Sequence, residues 1–147
     1  MSRSTVPGVK RELASRLATK LEDLSVPVYR GLPDKLAGER YCVVSKAKAD
    51  QEWAALGGSR RRQERYRIGV VFQVGDVLGS IESTSNDAYE LLGRLEEVLV
   101  EDPTLGGLAI TAELEEWEDD ELPADRGAVT FIGATVLIKA RTEGIKA

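Results

Sequence analysis

The apolar positions of this chain switch between two periods, and the switches mark its elements. In "VPGVKRELASRLATKLEDL", Val9, Leu13, Leu17, Leu21 and Leu24 recur at intervals of four, four, four and three residues. That is one face of a 3.6-residue helix, with Arg and Lys on the other faces. Ser4 or Thr5 is placed to cap its start, Pro7 fits a first turn, and Pro27 marks its end. Farther on the period falls to two. Tyr66, Ile68, Val70, Phe72 and Val74 alternate with Arg65, Arg67 and Gln73, as in a strand with one buried face. Val71 spoils the polarity of the second face, so that face is expected to be partly covered.

Between these segments the sequence predicts a short extended piece at residues 26–30, a Gly/Pro-bearing loop, and a strand at about 41–47. "ADQEWAALGGSRRRQE" then forms either a short helical turn around Trp53 or a long hairpin loop, broken at Gly57 and Gly58. The longer period returns in "STSNDAYELLGRLEEVLVEDP", where Leu91, Leu92, Leu95, Val98 and Leu99 form the stripe. Asp87 and Glu90 fit a capping box, with Thr84 or Ser85 as alternative caps. Asp102 and Pro103 stop the helix. Gly93 in its interior costs about 1 kcal/mol relative to Ala, which implies close backbone packing or nothing in particular.

Two strands finish the chain, at about residues 108–118 and 128–141. The last is apolar on both faces in its middle (Phe131, Ile132, Val136, Leu137, Ile138), as a central strand is. The order α-β-β-β-α-β-β predicts an α+β fold: one largely antiparallel sheet of four to five strands with two main helices packed against it. No repeat, low-complexity linker or internal boundary breaks the pattern, so residues 1–147 are expected to form a single domain.

Composition removes most chemistry. A chain of 147 residues buries roughly 70% of its unfolded surface and needs no disulfide or metal to hold it. Cys42 is the only cysteine and lies in the apolar run "YCVVS"; a buried, inert thiol is expected. The chain has no histidine, which excludes Ser-His-Asp and Cys-His catalysis and His-ligated zinc. Phosphate-cradling glycine motifs and the GxSxG, HExxH and CxxC signatures are absent too. Neither an enzyme nor a cofactor is expected. The N-terminus lacks a signal-peptide core, and no run approaches the roughly 20 apolar residues of a membrane span. The expectation is a protein made in the cytoplasm, with no membrane partner.

What remains is charge. The net charge is −5, which weighs against a dedicated DNA-binding domain. Yet "GGSRRRQERYRIGVVFQV" gathers Arg60, Arg61, Arg62, Arg65 and Arg67 directly before and within the clearest strand. These arginines read as solvated surface, as a nucleic-acid contact with Trp53 or Tyr66 stacking on bases, or as a protein contact. The opposite sign collects in "AELEEWEDDELPADRG", where Glu113, Glu115, Glu116, Glu118, Asp119, Asp120 and Glu121 flank Trp117. That segment reads as a solvated hairpin tip, as a weak divalent-cation site lacking the DxDxDG spacing, or as the counterpart of the arginines on a neighbouring copy. Opposite patches on different hairpins suit a heterologous contact, which closes into a ring when the rotation allows. Arginine favours such a contact, because its planar fork binds carboxylates and stacks on rings such as Trp117 or Trp53.

The succession of "VKRELASRLATKL", "VPVYRGLP", the charged hairpin "YCVVSKAK…RRRQERYRIGVVFQV", "DAYELLGRLEEVL" and "GATVLIKAR" resembles the tail terminator proteins of long-tailed bacteriophages. The resemblance covers nearly the whole chain as topology and spacing and carries no invariant motif. It implies a virion protein of the neck without catalysis, assembled in the host cytoplasm. Six copies would form a ring that caps the tail tube, ends tube polymerisation and faces the head-side connector, with DNA passing through the lumen. Its partners would be other copies of the chain, the tail tube protein on one side and the connector or stopper protein on the other. The arginines of residues 60–67 and the acidic residues 113–121 would then lie at subunit and tube contacts. Another neck protein (a head-completion, stopper or tail-completion protein) or a nucleic-acid-binding module using the arginine loop are the alternatives. If the two patches join copies, Arg61→Glu with Arg62→Glu is expected to block ring or tail assembly while leaving the fold intact, scored by the yield of complete tails.

Overall fold

The structure is a computed structural model that describes residues 2–31, 40–50, 63–123, 127–141 and 143–144. The expectations for the helical turn or loop around Trp53 and for Arg60, Arg61 and Arg62 lie outside the described residues.

The leucine stripe folds as its period requires. Helix α1 (Val6–Lys20) buries Val9, Leu13 and Leu17 completely, and Leu21 continues the buried row. Its start differs from the capping expected at Ser4 or Thr5. The Thr5 side chain makes no cap bond, although Ser4 Oγ accepts the Val6 amide at 3.2 Å. A carboxylate from the sheet takes most of that role instead: Glu64 accepts the Thr5 amide at 2.7 Å and the Ser4 hydroxyl at 2.7 Å. Negative charge is favoured at this end by the unpaired amides of the first turn. The α-helix also ends before Pro27. After Leu21 the chain tightens into a 3-10 turn at Glu22–Leu24 and leaves through Ser25 in the left-handed region, at φ 54°.

Strands β2 (Val28–Arg30), β3 (Arg40–Asp50), β4 (Gln63–Asp76), β5 (Thr111–Pro123) and β6 (Ala128–Arg141) form one sheet in the order β2-β3-β4-β6-β5. Among the described residues, only β2 and β3 pair in parallel. A separate two-residue pairing joins β1 (Ser2–Arg3) to β7 (Glu143–Gly144). The α+β architecture and the interior position of β6 are as the pattern predicted.

Helix α2 (Ile81–Glu101) begins earlier than expected. Its capping box is Ser80 with Ser83, each side chain accepting the other's amide at 3.0–3.1 Å. Asp87 and Glu90 lie inside the helix, where Asp87 pairs with Arg40 at 3.1 Å and Glu90 with Arg94 at 3.6 Å. Thr84 is buried and shares a 2.9 Å hydrogen bond with the equally buried Thr130 of β6. A serine pair is a weaker signal than Ser/Thr with Glu, which is why periodicity alone started the helix one turn late. Leu91, Leu92, Leu95, Val98 and Leu99 are buried, and Asp102 ends the helix as expected.

A Cβ added at Gly93 would meet nothing within 4 Å. No close packing holds that glycine, so Gly93→Ala is expected to raise stability by about 0.5–1 kcal/mol through reduced unfolded-state entropy. Urea denaturation with an unchanged m-value would register it.

Both helices cover the same face of the sheet. Cys42, Val44, Tyr66, Ile68, Val70, Phe72, Val74, Ile132, Val136 and Ile138 point into them and form one core with the helix stripes. The helix seam is tied by charge. Lys20 meets Glu97 and Glu101, Arg16 meets Asp102, and Arg94 donates to both Asp23 and the Lys20 carbonyl at the end of α1. Asp102 is held below the ordinary carboxylate range, chiefly by the Thr104 hydroxyl, then the Gly106 and Thr104 amides and Arg16. Its contribution is therefore present above the unfolded carboxylate pKa and is lost as pH falls through the lower, folded value.

Candidate interaction surface

Among the described residues, no group of three or more His, Cys, Asp or Glu is placed to hold a metal ion. Among the same residues, no helix is long and apolar enough to cross a membrane. Cys42 is fully buried, and burial pushes its thiol up to about 12. A thiol so protonated is no nucleophile at neutral pH.

The charged residues lie on the face and edge that the helices leave open. Because Tyr66, Ile68 and Val70 point into the core, Arg65 and Arg67 point away from it. Side chains directly opposite each other in an antiparallel pair share a face. The register sets Lys139 opposite Arg65, Arg141 opposite Gln63, and Lys48 opposite Arg67. One end of the helix-free face thus carries Lys48, Arg65, Arg67, Lys139 and Arg141 on three adjacent strands. Sequence reasoning found two of these five. Lys48, Lys139 and Arg141 stand far from the arginine run along the chain, and only strand register brings them beside it.

The acidic segment lies on the strand expected at about residues 108–118, which runs on beyond Glu118. It is not the tip of a hairpin: β5 continues to Pro123, so Glu113 to Glu121 all lie on the edge strand itself. A β-bulge between Leu114 and Glu116 shifts the register and divides the row. Glu115 reaches back across the sheet and binds Arg67 Nε through both oxygens, at 2.9 and 3.0 Å. One arginine and one glutamate of the two opposed patches therefore meet within a single chain. Arg65 stays exposed, and the register sets Asp50 of β3 opposite it.

Below the bulge the strand alternates. Asp119 and Glu121 turn toward α2, where Tyr89 donates to Asp119 at 2.5 Å and Ser85 to Glu121 at 2.8 Å. The Asp119 bond raises the Tyr89 pKa. Trp117, half exposed, belongs to this same row. Glu116, Glu118 and Asp120 face the other way and have no ion-pair partner among the described residues. They overlook a shallow groove floored by Gly69, Val71 and Gly133.

The helix-free face also has an apolar middle. Tyr41, Val43 and Leu137 are buried there outside the main core, and Val71 and Phe131 are half-buried. The half-burial of Val71 agrees with the mixed polarity of its face. At the start of α2 a tight turn, closed by Asp76 accepting the Leu78 amide at 3.0 Å, holds Leu78 almost wholly in solvent.

The geometry offers strand edges, opposed charges and exposed apolar side chains, all of which suit contact with macromolecules. No protein-family profile and no curated protein sequence matches the chain. Among solved structures, the fold is similar to a chain of the virion of a native gene transfer agent particle, with a TM-score of 0.57 and 11% identity over 92% of each chain. At that identity the likeness is one of fold, and it runs the length of both chains.

Proposed function

We propose that the chain is a structural protein of a phage-like virion, built into the neck as a ring that caps the tail tube. The observation that carries this reading is the end-to-end likeness of fold to a virion chain. The open edge and opposed charges of the sheet are consistent with it. In this role about six copies close through heterologous contacts. One side of the ring binds the last layer of tube protein. The other presents a different chemistry to the connector, so that further tube subunits find no matching surface. The unpaired carboxylates of β5 also suit a passage for DNA, since they repel phosphate. No catalytic step is required.

The deciding experiment is to assemble particles without this protein. Tubes that overgrow their normal length and fail to join heads are the expected result. Tails of normal length on full particles would overturn the reading. A second reading, a nucleic-acid-binding module, is favoured by Lys48, Arg65, Arg67, Lys139 and Arg141 sharing one face. If those five contact phosphates, log affinity for duplex DNA should fall against log salt with a slope of about −4 to −5. The capping ring predicts no such binding.

A further inference from the structure

The five-stranded sheet ends in two edges of opposite charge. One is β5, paired only with β6 and studded with exposed carboxylates. The other is composite. β2 is three residues long and covers β3 only at Cys42, Val43 and Val44. Beyond them β3 runs on through residues 45–50 with no strand beside it on that side among the described residues. The exposed side chains around this open length include Arg30, Lys46 and Lys48, and none of the three has a carboxylate partner among the described residues.

An uncovered strand edge is a template for pairing with another chain. Charge decides which pairing is allowed here. Two β5 edges would set carboxylate against carboxylate, and like charges directly opposite are destabilising. An acidic edge against a basic one has no such penalty. Direction agrees as well. β3 is antiparallel to β4, β4 to β6, and β6 to β5, so β5 runs opposite to β3 and stays so when a second copy is set alongside.

The heights also match. Lys48, Arg67, Leu137 and Glu113 lie on one cross-strand row, and Arg30, Val44, Val70, Ala134 and Trp117 on another. A copy rotated about an axis along the strands, without rise, brings Glu113 level with Lys48. It also brings Trp117 level with Arg30, while Glu116 lies on the same helix-free side as Lys48. The bulge between Leu114 and Glu116 bends β5, which lets its first half enter the open place beside β3 while the second half clears β2.

We propose that copies of this chain join edge to edge, the first half of β5 of one copy pairing antiparallel with the uncovered length of β3 of the next, and so continue the sheet from subunit to subunit. The inference rests on the ring reading and specifies its contact. It makes that contact heterologous, as a ring requires, and forbids the two-fold dimer that a self-complementary edge would form.

The test uses two charge-reversed proteins, K46E with K48E, and E113K with E116K, followed by sedimentation velocity beside the wild type. Each variant alone presents like-charged edges and is expected to sediment as a folded monomer under conditions where the wild type assembles. Mixed one to one, every acidic edge again finds a basic one, and rings of even copy number are expected to return. Variants that assemble as the wild type does would overturn the edge contact and leave the ring reading standing. So would a mixture of folded variants that stays monomeric. A wild type that remains monomeric at its highest soluble concentration would also overturn the contact. The ring reading itself stands or falls on particles assembled without the protein, whatever the edges do.

Discussion

Gly127→Ala is expected to destabilise the protein by more than about 3 kcal/mol. Two causes act together. Gly127 sits at φ 86°, where an L-residue is strained by about 1–2 kcal/mol. An added Cβ would also lie 1.9 Å from the Asp76 carbonyl oxygen and 2.7 Å from the Val77 backbone. Those are main-chain atoms at the end of β4 and cannot rotate aside, so the turn into α2 must move. Gly107 supplies the control. Its φ is 84°, yet a Cβ there meets nothing within 4 Å. Gly107→Ala should show the dihedral penalty alone, about 1–2 kcal/mol. Urea midpoints of the two variants separate the terms, and equal losses would disprove the clash.

Phe72→Ala is expected to cost about 3–5 kcal/mol, whereas Phe131→Ala costs less than half as much. Phe72 is fully buried in the middle of β4, between Cys42 and Ile132 of the neighbouring strands and beneath the helices. Its removal leaves a cavity that close-packed neighbours fill only partly. Phe131 lies on the adjacent strand but on the helix-free face, half exposed beside Gln73. Truncation there opens to solvent and leaves no enclosed void. Against a typical domain stability of about 5–15 kcal/mol, the first variant would lose a large share of its urea midpoint. If another copy covers the helix-free face on assembly, Phe131→Ala should weaken association more than it weakens the monomer.

Much of this was legible in the pattern. The spacing of Val9, Leu13 and Leu17, and of Leu91, Leu95 and Val98, named both helices and their buried faces, because period 3.6 against a flat core leaves few alternatives. The alternation from Tyr66 to Val74 named β4 and its inward face for the same reason. β6 was recognised as central because both its faces are apolar. That same feature hid which of Phe131 and Ile132 points to the helices. The pattern carried this strand only to about residue 118, because strand propensity penalises the Asp and Glu that follow. An edge strand tolerates them, since both sides of its backbone need not be covered, and charges there restrain unwanted pairing.

The capping of α1 by Glu64 could not have been found along the chain, because its members are about sixty residues apart. The same holds for the basic patch. Arg65 and Arg67 were visible, but Lys48, Lys139 and Arg141 join them only through the registers of β3 with β4 and of β4 with β6.

By itself, then, the sequence determined the two main helices, the long strands, their buried faces and the α+β class, because these follow from local period and residue type. Tertiary structure alone decided that β5 is an edge, that among the described residues β2 leaves half of β3 uncovered, and that these two edges carry opposite charge. Strand order and register are contacts between distant segments, chosen by the packing of the whole sheet against two helices. No local pattern encodes them.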